Sequence, residues 1–165
     1  MYRYVKMVIP LLLCAILFSA CARSAPPGGF RGMIWGAEKS SFPDLLYDST
    51  DPIHGGINFY TKLNDNLHIG NSVAEKIIYG FWHDKLCSVG VFVVGNVNWE
   101  GLKLATFEKY GSQPDSYLDS FYWSNDTTII SLDREVHNKG VLWLRSREIE
   151  KQQEAYDRNK AKEAL

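Results

Sequence analysis

Short apolar runs separated by turn residues fill the middle of the chain. The run from Gly55 to Leu63 (GGINFYTKL) is rich in β-branched and aromatic residues, and so are the runs from Lys76 to Trp82 (KIIYGFW) and from Leu86 to Gly95 (LCSVGVFVVG). This composition predicts three strands. The intervening HDK favours a tight hairpin between the last two, because Asp at a turn bonds to nearby backbone groups.

The last of these strands is predicted to lie at the centre of a sheet. Val89, Val91 and Val93 fall on one face, because successive side chains of a strand alternate. Phe92 and Val94 fall on the other face. A strand that is apolar on both faces is buried on both, so we expect a helix or a loop to cover it.

The covering helix is predicted between Asn98 and Gly111 (NWEGLKLATFEKYG). Asn98 is a good N-cap residue, and Gly111 favours the end of a helix. Gly101 lowers the helix propensity of the first turn by about 1 kcal/mol relative to Ala. At about 100° per residue, one side of the helix carries an apolar stripe of Trp99, Leu104, Phe107 and Tyr110, with Leu102 on its edge.

Further β-type runs flank this central part. Gly28 to Gly36 (GGFRGMIWG) predicts an extended entry, and Ser41 and Pro43 are turn or short-helix signals before LLYDS. After SQPDS, three runs with short connections indicate an antiparallel meander. They span Ser120 to Ser124, Thr127 to Asp133 and Gly140 to Ser146.

The composition changes at Arg147, after which the chain is charged, lacks Gly and Pro, and consists of helix formers. Glu154 and Arg158 form a favourable i,i+4 pair. Apolar residues are few, chiefly Ile149 and Tyr156, so we expect this helix to project into solvent or fray. The order of elements predicts an α+β fold: an antiparallel sheet with one packed helix and a charged C-terminal helix.

The first twenty residues have the three-part form of an export signal. Arg3 and Lys6 make a basic head, and the uncharged run from Met7 to Ala20 is shorter than the about 20 residues that span a bilayer. The predicted organisation is a signal peptide at 1–20, a lipidated cysteine and linker at 21–29, an α+β domain at 30–146 and a charged helix at 147–165.

Two cleavage sites compete at the end of this run. ACA, ending at Ala22, fits the small-x-small rule of ordinary signal peptidase and would give a soluble secreted or periplasmic protein. FSAC resembles the lipobox of bacterial lipoproteins: Ser19, Ala20 and Cys21 match its usual form, whereas Phe18 replaces the usual Leu. The Pro- and Gly-rich ARSAPPGG that follows suits a tether, so we favour the lipobox.

The lipobox resemblance implies a lipid anchor. It places a diacylglycerol on the sulfur of Cys21, a cut before Cys21 and an acyl chain on the new amino terminus. Several acyl chains together attach a protein stably to a membrane. In a Gram-negative cell, Ala22 in place of Asp implies the outer membrane, with the domain facing the periplasm.

The charge of the chain is balanced, with 18 basic and 19 acidic residues and a formal net charge of −1. Removal of the segment that holds Arg3 and Lys6 brings the net charge to −3. Such a surface has no basic footprint for nucleic acid or for anionic lipid. We therefore expect no nucleic-acid partner.

No arrangement of residues in the sequence indicates a metal, a cofactor or a catalytic site. The histidines, at positions 54, 68, 83 and 137, lie outside any zinc-type spacing, and neither a P-loop nor a dinucleotide-binding glycine motif occurs. A hairpin turn explains the adjacent His83 and Asp84 better than catalysis does. Cys87 lies in a β-type run and is predicted to be a small buried hydrophobic side chain.

Two motifs carry a resemblance that spans roughly Phe30 to Ser146. FRGMIWG, Phe30 to Gly36, has the form F-x-G-x-x-W/F-G, and KYGSQP, Lys109 to Pro114, has the form K-Y-G-x-P with one additional residue. In these motifs the chain is similar to a loosely defined set of small bacterial exported proteins and lipoproteins. The motifs are structural, because Gly111 ends a helix and Pro114 prevents its renewal. The resemblance implies a fold and an exported address, and it supplies no catalytic residues.

These observations predict a membrane-tethered envelope lipoprotein without enzymatic activity, whose domain binds another envelope component or serves an assembly. Two alternatives stay open. One is a periplasmic hydrolase of envelope material, which a cleft with an inward cluster of His, Asp and Glu would favour. The other is a binder of a small ligand or peptide, which a contiguous aromatic patch outside the core would favour.

Overall fold

A seven-stranded antiparallel sheet organises the domain in a computed structural model, which describes residues 28–113 and 118–164. The sheet order is β3-β4-β7-β8-β11-β10-β9, and β1-β2 and β5-β6 are two small separate hairpins. The sheet and its helices confirm the predicted α+β class. The elements are β1 Gly29–Phe30, β2 Met33–Ile34, β3 Leu45–Asp51, β4 Ile57–Lys62, β5 His68–Ile69, β6 Ser72–Val73, β7 Lys76–Trp82, β8 Lys85–Val94, α1 Asn96–Tyr110, β9 Ser120–Ser124, β10 Thr128–Glu135, β11 Lys139–Ser146 and α2 Arg147–Glu163.

The centre of the sheet follows the predicted strands closely. Strands β7 and β8 form a hairpin whose two turn residues, His83 and Asp84, have φ values of 48° and 60°. Two successive positive φ values characterise a type I′ turn, which matches the twist of the flanking strands. Strand β8 lies between β7 and β11, as its apolar residues on both faces predicted. Strands β9, β10 and β11 form the predicted antiparallel meander.

Helix α1 packs on one face of the sheet, which we call the helix face. Trp99 and Leu102 are fully buried there, and Thr106 is 2% exposed. Leu104 is 54% exposed, so the predicted stripe was wrong in placing Leu104 in the core and Leu102 at the edge. The reason is the helical spacing: at about 100° per residue, Leu102 lies about 60° around the helix from the buried Trp99, whereas Leu104 lies about 140° from it.

The first turn of α1 also differs from the prediction. The helix begins at Asn96 after Gly95, so Asn98 is not the N-cap residue. Instead, the side chain of Asn98 donates to the carbonyl oxygen of Val94 at 2.9 Å and accepts from the amide of Val73 at 3.0 Å. Asn98 therefore joins the helix to strands β8 and β6.

Gly101 allows the close approach of α1 to the β5-β6 hairpin. A Cβ atom at Gly101 would lie 3.1 Å from the amide nitrogen of Ser72 and 3.2 Å from the carbonyl carbon of Asn71. The hydroxyl of Ser72, in turn, donates to the carbonyl oxygen of Asn98 at 2.8 Å. Glycine therefore suits this position despite its lower helix propensity, because the backbone of α1 packs directly against the backbone of the hairpin.

The two edges of the sheet differ. Strand β3 is an edge strand that the sequence did not predict, because its middle residues are exposed and a bulge between Tyr47 and Ser49 interrupts the alternation. Strand β9 forms the opposite edge. There the side-chain amide of Gln113 accepts from the backbone N–H of Tyr122 at 3.3 Å and donates to the carbonyl oxygen of the same residue.

Helix α2 leaves the end of β11 and covers one end of the other sheet face. The hydroxyl of Ser146 caps it by accepting from the amide of Ile149. Ile149 is 4% exposed and Gln153 is 7% exposed, and Tyr156 packs edge-on against Trp82. The expectation that this helix projects into solvent was therefore wrong for its first half, whereas residues 157–164 are exposed.

Some predictions fall outside the described residues. The signal peptide, Cys21, most of the 21–29 linker and Pro114 belong to this group. Within the residues that are described, no helix is long and apolar enough to cross a bilayer.

Candidate functional site

The face of the sheet opposite α1 carries the candidate site. Helix α2 covers only the end of this face that holds Ile57, Trp82 and Cys87. Beside that covered end lie two cavities of about 580 Å³ each. Both are lined by Ser49 and Ile78, so they adjoin, and we refer to them together as the groove.

The groove crosses most of the sheet. One of its cavities extends from Ser49 in β3 to Ser131 in β10, and these strands are separated by β4, β7, β8 and β11 in the sheet order. The floor consists of side chains that alternate with the buried residues of the helix face. Strand β11 shows this alternation, because Leu142 and Leu144 belong to the main core whereas Trp143 and Arg145 line the groove.

Three aromatic rings form a row along the floor. The ring centroids of Phe59 and Trp143 are 6.1 Å apart, and those of Trp143 and Phe92 are 5.7 Å apart. These distances are typical of favourable aromatic pairs. All three rings are half-buried and line the groove on the sheet face opposite α1. The row is thus a contiguous aromatic patch outside the main core.

Basic residues at the rim of the groove have acidic neighbours. Nζ of Lys76 lies 2.5 Å from Oδ1 of Asp48, and a guanidinium nitrogen of Arg145 lies 3.5 Å from Oε1 of Glu150. The hydrogen bond from Lys76 lowers the pKa of Asp48 below its ordinary value, because it stabilises the carboxylate form. The Nε atom of Arg145 is buried and has no hydrogen-bond partner among the described residues.

The hydroxyl groups of serine and threonine complete the lining of the groove. Ser49 and Thr50 are exposed on β3, Ser131 is half-buried on β10, and Ser88 lies on the floor. The lining of the groove therefore combines apolar rings, hydroxyl groups and basic residues that are paired with acidic ones. Such a lining is typical of ligand sites, in which a few polar groups orient a largely apolar contact surface.

The histidines, for which the sequence predicted no metal or catalytic role, do not line the groove. Nδ1 of His54 is 2.5 Å from Oδ2 of Asp157, so this contact joins the loop before β4 to helix α2. His83 stacks on Trp82 with ring centroids 4.1 Å apart. His68 is exposed on strand β5, and His137 is exposed at the turn between β10 and β11. Across 28–113 and 118–164, the structure contains no group of three or more His, Cys, Asp or Glu residues suited to a metal ion.

Cys87 is buried beneath helix α2, as the sequence predicted for a small apolar side chain. Its thiol donates to the carbonyl oxygen of Gly80 at 3.2 Å. Burial raises the pKa of this thiol to about 11, which keeps it protonated at neutral pH. A protonated, covered thiol is a poor nucleophile.

The groove was not found by sequence reasoning, although one signal was present. In GVLWLRS, residues 140 to 146, a large aromatic and a basic residue occupy the same alternating positions, Trp143 and Arg145. Their partners across the groove come from five other strands, and a single sequence does not show that register. Comparison of the chain with protein families, with curated proteins and with solved structures found no match. The functional argument therefore starts from the groove.

Proposed function

We propose that this protein is a non-enzymatic binding module of the bacterial cell envelope, that the groove is its binding site, and that a lipid on Cys21 tethers it to the membrane. The observation that carries the binding function is the row of Phe59, Trp143 and Phe92 on a sheet face that α2 leaves largely uncovered. Apolar rings at the surface favour association with a ligand, because binding removes them from water.

The size of the groove supports this function. Ligand pockets in proteins commonly have volumes of about 300 to 1,000 Å³. Each of the two adjoining cavities has a volume of about 580 Å³, within that range. The groove therefore has room for a ligand that contacts several side chains at once.

The pairing of Asp48 with Lys76 favours binding over hydrolysis at this carboxyl. A hydrolase of the two-carboxylate type needs a general acid whose pKa is raised towards neutrality. The carboxyl of Asp48, at the rim of the groove, has a lowered pKa because Lys76 bonds to its ionised form. His54 contacts Asp157 of helix α2, and neither residue lines the groove, although Pro52 and Ile53 of the same loop do.

Binding can be tested with a neutral fluorescent probe, N-phenyl-1-naphthylamine, whose emission rises in apolar surroundings. We expect the full chain carrying Cys21→Ala, kept free of detergent, to bind it saturably. Ser131→Trp should weaken this binding by about tenfold, because Ser131 is the cross-strand neighbour of Trp143 and a large side chain there fills the groove.

The matched control introduces the same side chain on the other face. Leu104 is 54% exposed on α1, so Leu104→Trp adds a tryptophan without entering the groove. We expect this variant to bind the probe like the parent protein. Equal binding by the parent protein and the Ser131→Trp variant would show that the probe does not use the groove and would count against the proposal.

The tether has its own test. The motif from Phe18 to Cys21 and the Pro- and Gly-rich stretch that follows it support the tether. We expect Cys21→Ala to move the protein from the membrane fraction to the soluble fraction and to leave the domain folded. A variant that still sediments with membranes after a high-salt wash would contradict lipid anchoring. So would an intact mass equal to that of an unmodified chain that begins at Arg23.

A further inference from the structure

We propose that the ligand of the groove is a neutral oligosaccharide. This inference rests on the proposed function, because it names the chemical class that the same groove accepts. It follows from three properties of the lining: the balance of charge, the groups that the floor strands leave available, and the combination of aromatic rings with hydroxyl groups.

The charge of the lining argues against an ionic ligand. Lys76 is paired with Asp48, and Arg145 is paired with Glu150. Lys139 lies directly opposite Glu135 in the register of β10 and β11, so this lysine also has an acidic neighbour.

Two further carboxylates, Asp51 and Glu75, line the groove, so acidic residues outnumber basic ones there. Polyanions such as nucleic acids or acidic polysaccharides would therefore be repelled rather than attracted. The same carboxylates accept hydrogen bonds from hydroxyl groups without a need for opposite charge.

The floor of the groove offers side chains but no free backbone. Strands β4, β7, β8 and β11 all lie inside the sheet, so each is paired on both sides. Peptides that bind to sheets commonly do so by adding a strand to an open edge, with main-chain hydrogen bonds. The floor provides no such edge, and a ligand that lies on it must be recognised through rings and hydroxyl groups.

A saccharide matches these groups. Each sugar ring has an apolar C–H surface that packs on an aromatic ring and a periphery of hydroxyl groups that donate and accept hydrogen bonds. Phe59, Trp143 and Phe92 form a row, so consecutive rings of a chain can contact consecutive aromatic residues. Ser131 and Ser88 stand beside that row on the neighbouring strands. Because two cavities adjoin, the groove suits several linked sugars better than one.

The test uses isothermal titration calorimetry with three neutral hexasaccharides: cellohexaose, maltohexaose and the β-1,4-linked hexamer of N-acetylglucosamine. The protein is the detergent-free full chain with Cys21→Ala. We expect at least one of these sugars to bind saturably. Trp143→Ala should weaken that binding by about tenfold or more, and Ser131→Trp should do the same, whereas Leu104→Trp should leave it unchanged.

A fluorescence measurement shows whether Trp143→Ala has merely unfolded the protein. The total tryptophan emission reports folding, because Trp99 is fully buried and Trp82 is 7% exposed, so the emission of a folded variant should remain blue-shifted relative to that of the protein in urea. If Trp143→Ala loses that signal, the Phe92→Ala variant is used in its place, since Phe92 is half-buried at one end of the row. Binding that persists in a folded Trp143→Ala variant overturns the proposal.

The outcomes separate this inference from the proposed function. If the naphthylamine probe binds in the groove and none of the three sugars does, the groove is a binding site and the saccharide class is wrong. If a neutral extended peptide such as hexaalanine binds and the sugars do not, the ligand class is also wrong. If neither the probe nor any sugar binds, both proposals fail.

Discussion

Trp143 covers the backbone of Gly90: a Cβ atom built on Gly90 would lie 2.9 Å from two carbon atoms of the indole. Trp99 stands in a similar relation to Gly140 on the opposite face of the sheet, where a Cβ atom would lie 2.4 Å from the indole ring. Each tryptophan thus requires a glycine beneath it. The two differ in freedom to move, because Trp143 is half-buried and Trp99 is fully buried.

This difference predicts that the two Gly→Ala substitutions differ in their effects on stability and on probe binding. Gly90→Ala should displace Trp143 and Phe92, both 2.9 Å from the added Cβ, and weaken naphthylamine binding by about tenfold, at a cost of about 1 kcal/mol in the free energy of unfolding. Gly140→Ala should cost about 3 kcal/mol, since the enclosed Trp99 cannot move aside, and it should weaken probe binding much less, because the added methyl group faces α1 although Gly140 borders the groove. Urea unfolding and fluorescence titration measure both. Unaltered binding by Gly90→Ala would refute the role given to Trp143.

The packing of helix α2 gives a second prediction. Ile149 is 4% exposed and contacts the cluster of Ile57, Trp82 and Cys87. We expect Ile149→Ala to lower the free energy of unfolding by about 2 to 4 kcal/mol, as for other large-to-small changes in a core. Lys151→Ala, two residues further along the exposed side of the helix, is the control and should change stability by less than about 0.5 kcal/mol. A small effect of Ile149→Ala would mean that α2 is not docked in solution.

Stability should depend on pH through Asp48. Its pKa is lowered by the hydrogen bond from Lys76, so the folded state holds the ionised form more strongly than the unfolded chain does. The stabilisation is present above about pH 4 and is lost as the pH falls through the folded pKa. The pair is partly exposed, so its contribution is at most about 1 kcal/mol.

Comparison with Asp48→Asn isolates this contribution. We expect the wild-type protein to be more stable than the variant at pH 7, with the difference shrinking towards acid pH in urea unfolding series. Two stability curves that run parallel between about pH 7 and pH 3 would exclude a linked ionisation at this position.

Cys87 should resist alkylation in the folded protein. Its thiol is 4% exposed and its pKa is raised to about 11 by burial, so little thiolate is available to react. We expect iodoacetamide to leave the Cys87 peptide unmodified in native protein and to label it in urea, as followed by mass spectrometry. The Ile149→Ala variant, which loosens the cover over Cys87, should be labelled faster. Rapid native labelling of the parent protein would indicate that α2 opens readily.

The strands were more predictable than the binding surface, for a physical reason. A central strand such as β8 is apolar on both faces, and a nearly continuous apolar run in the sequence reveals it. The exposed edge strand β3 has no such run and was missed. Leu102 and Leu104 were exchanged, although the spacing itself favours Leu102 for the buried side: at about 100° per residue it lies about 60° from Trp99, whereas Leu104 lies about 140° from it. The groove depends on the register of six strands, which no local pattern encodes.

The side-chain amide of Gln113 makes the two hydrogen bonds that a neighbouring strand would make at the β9 edge. It accepts from the N–H of Tyr122 and donates to the carbonyl oxygen of the same residue. A second molecule that approaches this border finds its hydrogen-bonding sites already taken at that residue. The opposite border carries a bulge, which bends it away from a flat template. Edge-to-edge pairing of sheets into a fibre is therefore hindered at both edges, even where many copies lie close together on one surface.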